Sequence, residues 1–85
     1  MTAEMIEKFV STRISKGEPV NIHFKDRGTV TGLFIHTSDY EDLRSKNFWR
    51  IVNEQHAERW KETKDQNLAR IFNGASFTRL SESES

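Results

Sequence analysis

The chain has 85 residues, of which 34% are hydrophobic and 11% aromatic, and its 13 basic residues balance its 13 acidic residues. This length fits a single domain in which a few large side chains supply most of the buried surface. The absence of cysteine excludes disulfides and thiolate metal sites, and the neutral total argues against a strong nonspecific nucleic-acid binder. We expect a cytoplasmic protein, because the sequence has neither a bilayer-spanning apolar run nor a signal-peptide pattern.

The first segment, "TAEMIEKFVSTRISKG", has the pattern of an amphipathic helix. Its apolar residues recur at three- and four-residue spacing and form one stripe, namely Met5, Ile6, Phe9, Val10 and Ile14. Thr2 is placed to cap the N-terminus, and Gly17 to end the helix in a left-handed conformation. We therefore predict an N-terminal helix whose apolar stripe covers a core.

The next segment, "PVNIHFKDRGTVTGLFIHT", has the pattern of two strands joined by a tight turn. Apolar residues from Val20 to Phe24 alternate with polar ones, as in a half-buried strand. The tripeptide Asp-Arg-Gly suits a three-residue hairpin loop with Gly28 in the left-handed region. This loop predicts that Phe24 faces Val30, so that the apolar residues of both strands share one face.

Gly32 falls in the middle of the second strand, where glycine marks a sharp bend or a close approach of two backbones. After it, Leu33, Phe34 and Ile35 are consecutive apolar residues, so both faces of the strand become buried. A strand that is buried on one face before a glycine and on both faces after it is typical of a sheet that bends into a small barrel.

Polar stretches surround the third strand. "SDYEDLRSKN" is predicted to be a turn region, and "NFWRIVN" is a strand rich in aromatic and β-branched residues. Residues 54–66 fit either a short helix or an extended, charged hairpin end, with Ala57 and Trp60 as the residues able to anchor them.

The last two strands flank an Asn-Gly pair in "LARIFNGASFTRL". A plain two-residue hairpin at this pair would place Arg70 opposite Phe77 and mix buried and charged residues on each face. We therefore predict that the two strands diverge and leave their edges available to a partner. The single domain spans residues 1–80, and residues 81–85 form a disordered acidic tail.

The order of these elements resembles the Sm-like family, in which an N-terminal helix precedes five strands. "VNIHFKDRGTVTGLFIHTSD" is similar to the first Sm motif, with Gly28 and Gly32 at its turn and bend and Asp39 near its acidic position. "LARIFNGASFTRL" is similar to the second motif, and the resemblance covers nearly the whole chain. It implies a mainly-β fold, with the N-terminal helix followed by a five-stranded, strongly bent small barrel of the Sm-like or SH3-like type.

The resemblance also implies a function. In this family the fourth strand of one subunit pairs with the fifth strand of the next, and the resulting rings bind single-stranded RNA at the inner rim. The expected function is thus a self-associating, RNA-binding module and a homo-oligomer. The candidate RNA-binding residues by motif position are Asp39, Tyr40, Asn47, Asn73 and Gly74. The chain departs from the family in the long loop between Asp39 and Asn47 and in having Asn-Gly where Arg-Gly is common.

An alternative from another class is a protein-interaction barrel of the SH3-like type with no nucleic-acid role. It is favoured by the neutral charge and by the altered second motif. Aromatic residues with basic neighbours supply a candidate interaction surface, formed by Trp49, Trp60, Arg44, Lys46, Arg50 and Lys61. The same combination is also typical of single-stranded nucleic-acid binding.

The sequence carries no catalytic signature, and its four glycines are isolated from one another, unlike those of a phosphate-binding loop. The predicted register puts Thr31, and not His36, opposite His23, which separates the two histidines as metal ligands. We therefore expect no enzyme, no cofactor and no metal site.

Overall fold

A computed structural model describes residues 1–83 of the chain. This part contains three α-helices and five β-strands, which in chain order are α1 (Ala3–Lys16), β1 (Val20–Phe24), β2 (Val30–Phe34), α2 (Tyr40–Ser45), β3 (Phe48–Asn53), α3 (Ala57–Thr63), β4 (Ala69–Asn73) and β5 (Phe77–Glu82). Single turns of 3-10 helix precede α3, β4 and β5, at Glu54–His56, Gln66–Leu68 and Gly74–Ser76. None of the helices in this part combines the length and the apolar character that crossing a bilayer requires.

The five strands form one antiparallel sheet in the order β4-β3-β2-β1-β5. Strands β4 and β5 are consecutive in the chain, yet β4 pairs with β3 and β5 pairs with β1. The predicted divergence of the two strands around the Asn-Gly pair is therefore confirmed, as are the N-terminal helix and the number of strands. Because β4 and β5 do not pair with each other within the described residues, the sheet is not closed into a barrel.

Helix α1 begins and ends as its sequence predicts. The Thr2 hydroxyl oxygen accepts a hydrogen bond from the Met5 amide at 3.2 Å, and Gly17 has the left-handed φ of 66°. Ile6 and Val10 are fully buried. Met5, however, is 56% exposed, so the buried stripe is narrower than the apolar pattern alone indicates.

The main core lies between α1 and one face of the sheet. Its buried members come from the helix and four of the strands, and they are Ile6, Val10, Val20, Ile22, Phe34, Trp49, Ile51, Phe77 and Leu80. Phe24 on β1 lies 5.9 Å from Phe72 on β4, measured between ring centroids. In a flat sheet three strand spacings, about 14 Å, would separate these two strands. The sheet therefore curves around the main core.

A smaller apolar cluster lies on the other face of the sheet. Leu33, Ile35 and Val52 form its buried part, and Ala57 and Trp60 of α3 pack against it. This contact explains why residues 54–66 adopt helices and not an extended hairpin end. The predicted turn region "SDYEDLRSKN" likewise contains a helix, α2.

The register predicted for the first hairpin is wrong by two residues. Ile22 pairs with Val30. Phe24 of β1 does not pair with β2 and pairs instead with Phe77 on β5, after a bulge between His23 and Phe24. Because side chains alternate with a period of two, an even shift keeps every apolar residue on its predicted face.

The turn of this hairpin is also longer than predicted. It comprises residues 25–29, and Gly28 does not have the positive φ that a three-residue loop requires. Thr31 pairs with Asn21, and not with His23 as predicted, and its hydroxyl donates to the Asn21 Oδ1 at 2.6 Å.

The prediction of a disordered tail over residues 81–85 is wrong for residues 81 and 82. Ser81 and Glu82 belong to β5, where they pair with Asn21 and Val20 of β1, and the Glu82 carboxylate binds Arg13 of α1. These contacts hold the end of β5 against the sheet and the helix. Residues 84–85 of the predicted tail lie outside the described residues.

Gly32 marks a close approach between β2 and β3. A Cβ atom at this position would lie 2.6 Å from the Val52 carbonyl oxygen and 2.8 Å from the Ile51 Cγ2. Real Cβ atoms essentially never approach backbone this closely. Only glycine therefore fits this position without moving β3.

We predict that Gly32→Ala destabilises the fold by about 1–3 kcal/mol, because the added methyl group forces β2 away from β3. Gly28→Ala is the matched control, since a Cβ there meets nothing within 4 Å and is expected to change stability by less than about 0.5 kcal/mol. Urea denaturation of the three proteins measures both values. Equal stabilities of the two variants would contradict the close approach at Gly32.

Candidate functional site

The loop before β3 meets the turn between β4 and β5 at Asn47 and Gly74. The Asn47 carbonyl oxygen accepts a hydrogen bond from the Gly74 amide at 2.8 Å. The side-chain Nδ2 of Asn47 donates to the Met1 carbonyl at 2.9 Å, and its Oδ1 accepts from the Trp49 indole at 2.8 Å. The Met1 nitrogen in turn donates to the carbonyls of Gly74 and Phe77 at 3.2 and 2.9 Å. Both ends of the Asn47 amide are therefore engaged within the chain.

Gly74 is buried against this junction. A Cβ atom there would overlap the Asn47 Oδ1 and would lie 2.5 Å from the Ile6 Cδ1. Asn73 begins the short 3-10 turn, since its Oδ1 accepts from the Ala75 amide at 2.9 Å. The glycine therefore allows the turn to pack directly on Asn47 and on α1.

Asp39 lies at the start of α2 and is held by two donors. The Arg50 guanidinium binds both of its oxygens, at 2.7 and 3.2 Å, and the Thr37 hydroxyl donates to Oδ1. The hydrogen bonds from Arg50 and then Thr37 stabilise the charged carboxylate and lower the pKa of Asp39 from 3.8 to about 2. Asp39 therefore stays ionised at neutral pH and anchors the loop to β3.

Tyr40 connects α2 to α1 and to the main core. Its ring stacks on His36 at a centroid distance of 4.3 Å and meets the Trp49 ring edge-on at 6.0 Å. Its hydroxyl donates to the Glu7 carboxylate at 3.3 Å. Burial and the nearby Glu7 charge raise the pKa of Tyr40 to about 12. The ring of His36, by contrast, is exposed.

The candidate RNA-binding residues thus follow one series of contacts. Asn47 and Gly74 touch directly and Asn73 adjoins them. The Tyr40 ring meets Trp49, whose indole donates to Asn47, and Asp39 precedes Tyr40 in the chain. The polar groups of Asn47 and Asp39 bind other residues of the same chain. An RNA strand that used Asn47 would have to displace Met1.

The two tryptophans of the predicted interaction surface have different positions. Trp49 is only 2% exposed, so it belongs to the core and does not line a surface. Trp60 is half-buried on the smaller cluster, with Lys64 4.1 Å from its ring centroid. The indole nitrogen of Trp60 has no hydrogen-bond partner among residues 1–83. The sequence could not show whether Phe48 or Trp49 points into the core, because both are aromatic and adjacent on β3.

The predicted basic residues do not form one surface. Arg44 pairs with Glu7 at 3.0 Å and with Glu41 at 2.6 Å, and Lys46 pairs with Asp42 at 3.7 Å. Arg50 is bound to Asp39, as described above, and the exposed Lys61 extends from α3 toward the end of α1 near Gly17. Three of the four positive charges are therefore paired with carboxylates of the same chain.

The histidines make contacts other than metal binding. Ring nitrogens of His23 lie 3.3 Å from the Ser81 hydroxyl and 3.2 Å from the Thr29 hydroxyl, and His36 stacks on Tyr40. Within the described part of the chain, no group of three or more potential ligands is placed to hold a metal ion.

The two edge strands present backbone groups without a strand partner on their outer sides, within the described residues. On β4, Ile71 is 50% exposed. Beside β5, a shallow groove is lined in part by Met5 and Phe9 of α1 and Leu80 of β5. Met5 and Ile71 are the exposed large apolar residues of the described part.

Two of these features were not predicted from the sequence. The exposure of Ile71 could have been inferred from strand alternation. Once Phe72 is placed on the inner face beside Trp49, the preceding Ile71 must point to the outer face. The stack of His36 on Tyr40 could not have been inferred, because it depends on helix α2, which the polar sequence of that region did not indicate.

Comparison of the chain with protein-family models, with curated proteins and with solved structures gave no significant match.

We predict that the ion pair of Asp39 makes stability depend on pH below neutrality. Because folding lowers the pKa of Asp39 from 3.8 to about 2, its contribution is full above 3.8 and is lost as the pH falls toward 2. The difference in thermal unfolding midpoint between the natural chain and Asp39→Asn is thus expected to shrink across that interval. A difference that stays constant down to pH 2 would contradict the ion pair.

Proposed function

We propose that the chain is a self-associating module of the Sm-like type, in which β4 of one copy pairs with β5 of the next. The observation that carries this proposal is the strand order β4-β3-β2-β1-β5, which leaves β4 and β5 as opposite, unpaired edges of the described sheet. Unpaired edges are ready templates for strands from another chain.

The curvature of the sheet supports the Sm-like interpretation. The contact between Phe24 and Phe72 brings β1 and β4 close together, and the Lys25 amide donates to the Ser76 carbonyl at 3.1 Å. Together with α1 over the main core, these contacts favour a strongly bent, partly open small barrel. The absence of cysteine also supports a reducing compartment such as the cytoplasm.

The two edges suit each other in length. Strand β4 has five residues and β5 has six. Because the proposed contact joins two different edges, each copy offers one of each, and the assembly is either a closed ring or an open filament. Pairing would cover Ile71, which is 50% exposed in the single chain.

Replacement of Ile71 by lysine is expected to weaken self-association, because a charge on an edge strand opposes pairing. The matched control is Thr12→Lys, which adds the same charge to an exposed position of α1. Sedimentation velocity over a range of concentrations measures both. We expect the natural chain and the Thr12 variant to associate, and the Ile71 variant to shift toward the monomer by about tenfold in dissociation constant.

Three outcomes of this experiment would count against the proposal. A natural chain that stays monomeric at high concentration excludes self-association. An Ile71 variant that assembles as well as the Thr12 variant excludes β4 as the interface. A dimer that forms no larger species indicates that like edges pair, β4 with β4 or β5 with β5, and contradicts the pairing of β4 with β5.

As a ligand of this module we propose single-stranded RNA. The proposal is supported by the contact of Asn47 with Gly74, which lies beside Asn73 in the segment similar to the second Sm motif. The exposed His36 stacks on Tyr40, which meets Trp49, the hydrogen-bond donor to Asn47. Aromatic platforms of this kind bind unpaired bases.

Fluorescence anisotropy with a short uridine oligonucleotide tests RNA binding. We expect binding that weakens by about tenfold or more between low and about 200 mM salt, and that falls when His36 is replaced by alanine. A duplex of the same length is the control, because its bases are not free to stack. No affinity at low salt would contradict the RNA proposal and leave the assembly proposal intact.

The second candidate is a protein-interaction barrel, which one observation favours. Arg44, Lys46 and Arg50 are paired with acids of the same chain, so they do not supply a free basic surface for RNA. An edge strand of this sheet would instead accept an extended peptide from another protein. The ultraviolet absorbance ratio of the purified protein separates the two candidates, since co-purified nucleic acid favours RNA.

A further inference from the structure

A cavity of about 360 Å³ opens between the turn of the first hairpin, the inner face of β4 and the helical segment that joins β3 to β4. Its polar lining consists of two arginines, one histidine and three carboxamides, namely Arg27, Arg70, His56, Asn53, Gln55 and Asn67. No carboxylate of the described residues lines it, although acids and bases are equally numerous in the chain. This lining is therefore suited to an anion.

The two arginines are held at this cavity by different elements. The guanidinium of Arg27 lies 4.8 Å from the ring centroid of Phe24 and 5.7 Å from that of Phe72, as in cation–π contacts. Arg70 pairs with Ile51 across the β3–β4 ladder, so its side chain is on the inner face of β4. Two positive charges, one from the turn between β1 and β2 and one from β4, thus line the same cavity.

These charges are available to a ligand. Within residues 1–83 neither Arg27 nor Arg70 takes part in an ion pair, whereas three other arginines do, namely Arg13, Arg44 and Arg50.

The rest of the lining suits a flat, polar ring. Phe72 supplies an aromatic wall. The side-chain nitrogens of Asn53, Gln55 and Asn67 make no hydrogen bond to another described residue, although the Asn53 Oδ1 accepts from the Gln55 amide at 3.0 Å. Carboxamides pair with the donor and acceptor edges of nucleobases. The cavity volume lies within the range of about 300–1,000 Å³ that is usual for small-molecule sites.

We propose that this cavity binds a nucleoside monophosphate, either free or as one unit of a single strand. The phosphate lies between Arg27 and Arg70, and the base packs on Phe72 with its edge toward the carboxamides. The site is separate from the candidate RNA-binding residues at Asn47 and Gly74, neither of which lines the cavity.

Isothermal titration with adenosine monophosphate, adenosine and inorganic phosphate tests this proposal on the full chain. We expect the monophosphate to bind at least about tenfold more tightly than either of the other two, because only it engages both halves of the cavity. Arg27→Gln and Arg70→Gln are each expected to weaken binding by about tenfold or more. Arg59→Gln is the matched control, since this exposed arginine does not line the cavity.

Nuclear magnetic resonance gives a second readout, the side-chain amide signals, which does not depend on removing the charge of an arginine. Titration of the monophosphate is expected to shift the side-chain amide signals of Asn53, Gln55 and Asn67. Competition by a short oligoadenylate, stronger per site than the free nucleotide, would identify a strand as the source of the ligand, and absence of competition would identify the free nucleotide.

Three outcomes would overturn the proposal. The first is no binding of the monophosphate at millimolar concentration. The second is equal affinity for the monophosphate and inorganic phosphate or adenosine, which would exclude a site that reads both parts. The third is equal affinity of the Arg27, Arg70 and Arg59 variants, with thermal unfolding showing that all three are folded.

Discussion

The close approach of Gly32 to the Val52 carbonyl is the contact on which the arrangement of the sheet depends. At this point β2 and β3 come nearer than any side chain would allow, and immediately after it β2 becomes buried on both faces, with Phe34 in the main core and Leu33 in the smaller cluster. The chain can therefore place α1 on one face of a curved sheet and α3 on the other. In a domain of 85 residues, this use of both faces provides more burial than one face would.

The same curvature determines which edges stay open. Because the sheet curves around the main core, β4 comes near β1. Both sides of β1 are nevertheless occupied, one by β2 and the other by β5. The sheet therefore has two edges, β4 and β5, that pair with no further strand within the described residues. The proposed self-association rests on this topology, whereas the proposed ligands depend on side chains at two separate places, the junction at Asn47 and the cavity at Arg70.

Much of the fold could be predicted from local patterns, because those patterns carry a physical cause. The caps at Thr2 and Gly17 satisfy helix ends locally, and the badly sorted hairpin around Asn73 correctly indicated that two neighbouring strands diverge. The register of the first hairpin could not be predicted, since a shift of two residues leaves every side chain on the same face. Short helices such as α3 depend on tertiary contacts, here of Trp60 with the smaller cluster.

The candidate site was predictable only in part. The resemblance to the Sm-like family singled out Asn47 and Gly74, and these two residues touch in the structure. No local pattern could show that Met1 and Trp49 occupy the Asn47 amide, because those partners meet only in the folded chain. Arg27 and Arg70 escaped notice for the same reason: they are distant in sequence and share a cavity only after the sheet has curved.

The pairing of β4 with β5 of another copy is tested most directly by amide hydrogen exchange at a series of protein concentrations. If the two edges pair between copies, the amides of β4 and β5 that lack an internal partner gain protection as the concentration rises, while those of the central strands β2 and β3 do not change. Exchange at both edges that is independent of concentration would contradict the account.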